Sequence, residues 1–212
     1  MSILQTIKDK KLVTVIRNLK PKQVMSVVET LLDAGINIFE VTAESPSFEH
    51  SIESIKREFQ DEAIVGVGTI LDSETAINAV SAGAEFLVSP HLNVEMIKVA
   101  NRYGIVSMPG AMTPTEILAA FEYGGDIIKV FPGSVLGPGY IKDIKGPLPH
   151  IPLMPTGGVN LENMDEFINN GVVAVGLGGA IVKSNKPVDK DELQNIHNRA
   201  AKYVARMQEI LS

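Results

Sequence analysis

The chain contains no cysteine and no tryptophan. The first absence excludes disulfide bridges, thiolate metal sites and a thiol nucleophile together. Aromatic residues make up only 5% of the sequence and the formal net charge is −6. That balance argues against a nucleic-acid surface, which needs basic stripes and stacking platforms. No apolar run reaches the roughly 20 residues that cross a bilayer. Residues 1–11 lack the long apolar core and cleavage site of a signal peptide and read as a short amphipathic helix. A cytoplasmic chain with neither nucleic acid nor membrane as partner is the expectation. No group of His, Asp and Glu has metal-ligand spacing, so no metal and no cofactor are predicted. His91 is the one histidine near a strand end. A Gly-x-Gly-x-x-Gly turn is missing after the first strand, which counts against a doubly wound open sheet.

What is present is an alternation. The sequence is 212 residues long without a break in composition, which predicts one domain over 1–212. Short β-branched or glycine-ended runs at 12–17, 38–42, 64–69, 86–90, 105–110, 126–133, 152–156 and 172–176 read as strands. Helical patterns lie between them, at 21–33 and 48–59, then from Ser73 to Gly83, Asn93 to Gly104 and Thr113 to Gly124. The rest fall near 140–144 and at 160–169 and 191–211. Their starts carry capping residues and their ends glycines. Eight strand–helix units in a chain of this length predict an α/β fold, the (β/α)8 TIM barrel, preceded by the short N-terminal helix.

The stretch Asp126-Ile127-Ile128-Lys129-Val130-Phe131-Pro132-Gly133 is apolar on both faces, as in a parallel strand covered on both sides. With a period of two, Lys129 shares a face with Ile127 and Phe131. A lysine is nucleophilic only as the free amine, and apolar burial favours that form. Such an amine can attack a ketone and form a Schiff base. Taken alone, the strand also allows Lys129 to snorkel or to pair with a carboxylate.

Barrel active sites lie at the C-terminal ends of the strands, so polar residues there become candidates. Alternation groups Val13, Val15 and Arg17, then Ile38, Glu40 and Thr42, then Val65, Val67 and Thr69, then Met154 and Thr156. Taking those faces as interior brings Arg17, Glu40, Thr69, Lys129 and Thr156 around one mouth. The pairs Gly157-Gly158 and Gly178-Gly179 end the last two strands, where barrels bind phosphate through backbone N–H groups.

These residues resemble a known family. Glu40-Val41-Thr42, Val65-Gly66-Val67-Gly68-Thr69, Ser89-Pro90-His91, Met108-Pro109-Gly110, Lys129-Val130-Phe131-Pro132 and Pro155-Thr156-Gly157-Gly158 are similar, in order, to motifs of the 2-dehydro-3-deoxy-6-phosphogluconate / 4-hydroxy-2-oxoglutarate aldolases. The resemblance covers nearly the whole chain. It implies a homotrimeric class I aldolase (a lyase) of the Entner–Doudoroff route, acting on a phosphorylated 2-keto acid and releasing pyruvate and glyceraldehyde 3-phosphate. By that match Lys129 forms the Schiff base and Glu40 moves protons. Thr69, Pro90, Phe131 and Thr156 line the pyruvyl pocket, and Gly157, Gly158, Gly178 and Gly179 hold the phosphate. Two positions depart from the pattern: Glu44 stands where many members have arginine, and Ala180 where they have serine. Arg17 is then the expected replacement cation. The residues leave open the choice between the phosphorylated sugar acid and 4-hydroxy-2-oxoglutarate. Two rival readings remain, a phosphosugar isomerase or epimerase with Glu40 as base, and a phosphate-ligand-binding barrel without activity.

Overall fold

A computed structural model of the chain describes residues 1–184 and 186–212. Five of its helices begin where a side chain accepts from a free backbone N–H group. Helix α1 (Ile3–Lys10) starts after Ser2, whose hydroxyl accepts from the Gln5 N–H, and α2 (Pro21–Asp33) starts on proline. Asp72, Asn93, Thr113 and Asp189 cap α4 (Ser73–Ser81), α5 (Val94–Tyr103), α6 (Pro114–Glu122) and α9 (Lys190–Leu211). Helix α3 (Phe48–Phe59) has the predicted bounds. Helix α7 (Gly133–Lys145) is broken at Gly137, which has φ 71° ahead of Pro138. Helix α8 is shorter than the predicted 160–169 and covers Met164–Asn169. The reason is local: the Asn160 side chain accepts from the Glu162 and Asn163 N–H groups, and Asn163 accepts from the Asn160 N–H. Those bonds hold 160–163 as a turn.

The strands are β1 (Leu12–Ile16), β2 (Ile38–Thr42), β3 (Ile64–Gly68), β4 (Phe86–Val88), β5 (Val106–Met108), β6 (Gly110–Ala111), β7 (Ile128–Val130), β8 (Leu153–Pro155) and β9 (Val175–Leu177). They form an α/β fold of parallel strands in two sheets, ordered β5-β4-β3-β2-β1-β9 and β6-β7-β8. The predicted strand 105–110 is divided in two because Pro109 has no N–H to give. Its carbonyl instead accepts from the Lys129 N–H at 2.9 Å. At the opposite seam Thr156 bridges Gly176, and the Val173 N–H donates to the Leu153 carbonyl.

Two apolar clusters flank the strands. Leu12, Ile16, Val65, Val67, Ile128 and Val130 pack outward with the helices. Val13, Ile38, Ile64, Val106, Ile127 and Met154, from both sheets, pack inward on one another, with Ile7 of α1 among them. Strand β3 therefore corrects the expectation that Val65 and Val67 face inward. Its interior positions are Ile64, Gly66 and Gly68, and a Cβ on either glycine would run into Phe86 or Glu40. The strand is thin on its inner side because large neighbours already fill the space.

Among the described residues, no helix is long and apolar enough to cross a membrane.

Candidate active site

Strand β7 presents Lys129 to the interior, as its alternation requires. The side chain is only 5% exposed, with its Nζ 5.4 Å from the centroid of the Phe131 ring. Strand β2 presents Glu40 from across the interior. Its carboxylate is fully buried, and Oε1 lies 3.6 Å from Lys129 Nζ. Room for that carboxylate comes from Gly68, where any side chain would occupy the same space.

Among the described residues neither Glu40 oxygen has a hydrogen-bond partner, and neither has the buried Thr156 hydroxyl. Burying a carboxylate costs free energy that scaffold residues recover through hydrogen bonds. Here the acceptors are left for something that enters. An amine and a carboxylate so placed, beneath an opening, can form a bond to a carbonyl carbon and take up or return a proton beside it.

That opening is a cavity of about 540 Å³. Arg17, Thr69, Pro90, Lys129, Phe131 and Thr156 line it, together with Gly157, Gly158, Gly178 and Gly179. Glu40 lies against Lys129 and outside that lining. Every site residue predicted from sequence is thus at the cavity or in contact with a residue that is. Thr69 arrives there by a route alternation does not describe. It follows the end of β3 with φ 58°, a left-handed backbone, and its hydroxyl lies 3.4 Å from an Arg17 nitrogen.

The glycine loops make another part of the wall. Gly157 and Gly158 have φ 84° and 80°, where a side chain is strained, and a Cβ on Gly158 would collide with Ser134. Among the described residues the N–H groups of Gly158, Gly179 and Ala180 donate to no protein acceptor. They form a set of donors suited to an anion.

Two placements differ from expectation, those of Arg17 and Asn160. Arg17 is not a free cation, because its Nη1 donates to Glu44 in an ion pair at the mouth. His91 is exposed and outside the lining; its carbonyl accepts from the Ser89 hydroxyl at 2.7 Å. Asn160, which sequence reasoning passed over, lines the cavity directly after the Thr156-Gly157-Gly158-Val159 run. Position in the chain was the only signal for it.

Comparison with known proteins agrees with this geometry. The family described as KDPG and KHG aldolase matches residues 3–199. The chain is 34% identical over 184 residues to the 2-dehydro-3-deoxy-6-phosphogalactonate aldolase of Escherichia coli K12, covering 86% of this chain and 90% of that one. A solved structure described as native KDPGal superposes with a TM-score of 0.88 at 32% identity, over 94% of this chain and 95% of that one. The KDPG aldolase of Legionella pneumophila, solved with pyruvate captured as a covalent carbinolamine, gives a TM-score of 0.86 at 25% identity, over 95% and 98%. The chain belongs to the KDPG and KHG aldolase family.

Proposed function

We propose that this chain is a class I aldolase that cleaves 2-dehydro-3-deoxy-6-phosphogluconate to pyruvate and glyceraldehyde 3-phosphate through a Schiff base on Lys129. The observation that carries the reading is the buried Lys129 amine, which lines an open cavity and lies 3.6 Å from the fully buried Glu40 carboxylate behind it. The Lys129 amine adds to the C2 ketone, and loss of water leaves an iminium. Glu40, directly or through water, takes the proton of the C4 hydroxyl. The C3–C4 bond breaks, its electrons pass into the iminium as an enamine, and the aldehyde departs. Glu40 returns the proton to C3, and water releases pyruvate from the lysine.

The other residues serve this sequence. Thr69, Pro90, Phe131 and Thr156 enclose the pyruvyl carbons, and Arg17 faces the carboxylate. The N–H groups around Gly157, Gly158, Gly178 and Gly179 take the phosphate, and neither a metal nor a cofactor enters any step. Residues 1–212 act as one aldolase domain in which the two sheets close as a single (β/α)8 barrel. Bonds across both seams and the shared inner cluster support that closure. The working form is a cytoplasmic homotrimer.

A second substrate reading has its own support. The Escherichia coli relative at 34% identity is named for the phosphogalactonate substrate, which differs from the phosphogluconate one only in configuration at C4. 4-Hydroxy-2-oxoglutarate, cleaved to pyruvate and glyoxylate, completes the set to compare.

Borohydride reduction in the presence of pyruvate tests the chemistry. The expected product is a covalent adduct of pyruvate on Lys129, seen by mass and lost in Lys129→Met. An enzyme that interconverts phosphosugars without cleaving them forms no such adduct, and a binding protein shows no turnover with pyruvate and aldehyde. Steady-state comparison of kcat/KM for the two phosphorylated epimers and 4-hydroxy-2-oxoglutarate assigns the substrate.

A further inference from the structure

Arg17 is held between two neighbours at the mouth of the cavity. Its Nη1 donates to Glu44 Oε1, and its Nη2 lies 3.4 Å from the Thr69 hydroxyl. Both members of the ion pair are partly open to solvent, with side chains 44% and 33% exposed. Among the described residues on the cavity wall, the cations are Arg17 and Lys129, whereas Glu44 is in contact with Arg17 and outside the lining. The end of the site near Arg17 therefore carries one positive and one negative charge. The glycine loops that follow β8 and β9, at Gly158, Gly179 and Ala180, offer backbone N–H groups and no lining carboxylate.

We propose that Glu44 is a specificity-determining residue that fixes the direction in which a substrate with a carboxylate at one end and a phosphate at the other enters the site. The inference rests on the aldolase reading above. A carboxylate that binds Arg17 shares that cation with Glu44 and meets one unit of repulsion. A phosphate at the same place carries close to twice the charge and meets nearly twice the repulsion. The glycine loops have no such counter-charge, so the phosphate is directed there. The C2 ketone, next to the carboxylate, is then delivered toward Lys129.

The size of the effect follows from Coulomb's law. For unit charges roughly 6 Å apart, an effective dielectric between water and a protein surface gives a penalty of about threefold to a hundredfold in affinity. The solvent exposure of the pair places it near the low end, about three- to tenfold for a carboxylate. For a phosphate the factor is close to the square of that.

The test uses the full chain as wild type, Glu44→Gln, Glu44→Ala and Glu44→Asp, with melting curves to establish that each is folded. Two quantities are read at low salt: the pyruvate concentration that half-saturates the borohydride-trapped adduct, and the inhibition constant of inorganic phosphate against that trapping. In Glu44→Gln and Glu44→Ala the pyruvate concentration is expected to fall about three- to tenfold and the phosphate constant by a clearly larger factor. Both gains shrink as salt is added. Glu44→Asp, which keeps the charge, stays within about twofold of wild type. Adduct formation with both constants unmoved, moved upward, or lowered equally in Glu44→Gln overturns the proposal. A wild-type chain that gives no adduct overturns the aldolase reading instead, and is told apart by that result alone.

Discussion

Replacing Gly68 with alanine should disable proton transfer while leaving the lysine intact. Gly68 is the inward-facing last residue of β3, paired in register with Thr42 of β2, and Glu40 rises from the same face of β2. A Cβ at Gly68 would overlap the Glu40 carboxylate and lie 2.6 Å from its Cγ, where ordinary contact begins at 3.4 Å. The Glu40 side chain must therefore move by about 0.8 Å or more, and being fully buried it has no solvent to move into. A displacement of that order at a reacting group costs on the order of 10²-fold in rate, or about 2.7 kcal/mol of barrier. Overpacking takes a further ~1–3 kcal/mol from folding stability. The assay pairs steady-state cleavage with pyruvate trapping. Gly68→Ala should lose about 30- to 100-fold in kcat/KM, yet still yield the borohydride adduct, because imine formation needs the Lys129 amine. A folded Gly68→Ala protein within about threefold of wild-type kcat/KM would refute the argument that Gly68 positions Glu40. Gly66→Ala is the control, since its Cβ would strike Phe86 instead. Its loss should appear in the melting temperature.

Other substitutions probe the remaining walls. Gly179→Ala places a Cβ with nothing within 4 Å, so stability should hold, while KM for a phosphorylated substrate rises about tenfold as the backbone donors are shielded from the anion. The half-saturating pyruvate concentration should move by less than about twofold in the same protein. Gly158→Ala combines φ 80° with a clash against Ser134, and a loss of about 2 kcal/mol or more in unfolding free energy, read by urea denaturation, is expected. Glu116 accepts from the Met112 N–H, the Thr113 N–H and the Thr113 hydroxyl, and those hydrogen bonds hold its carboxyl below its ordinary range. A lowered carboxylate stabilises the fold above its unfolded value, here 4.5, and that contribution disappears as pH falls through the folded value. Glu116→Gln should therefore cost about 0.5–1 kcal/mol at neutral pH after solvent screening, and nothing relative to wild type in strong acid. Parallel denaturation curves at the two pH values check the sign.

The strands where alternation worked and the strand where it failed differ in one physical respect. On β2, β7 and β8 the inner face carries bulky or charged groups, so Glu40, Lys129 and Met154 stand out against their neighbours and the period of two is visible. On β3 the inner face is Gly66 and Gly68, which show nothing in a pattern of side chains, and the outward valines look like the interior. Glycine there is a space kept for Phe86 and Glu40, and such a space belongs to the partner strand's sequence as much as to its own. Thr69 reaches the mouth by a route other than alternation, since a left-handed φ of 58° turns it there after the strand has ended.

The Arg17–Glu44 pair shows what a register argument adds. Read by itself, Glu44 is the loss of a cation, and Arg17 a substitute for it. In β1 and β2, Val15 pairs with Glu40 and Ile16 with Val41, which carries Arg17 to the level of Thr42, two residues short of Glu44. Once adjacent parallel strands are set side by side, the acid and the base are neighbours at one mouth. Their charges must then be counted as a unit, and the substrate meets that unit in place of a lone arginine.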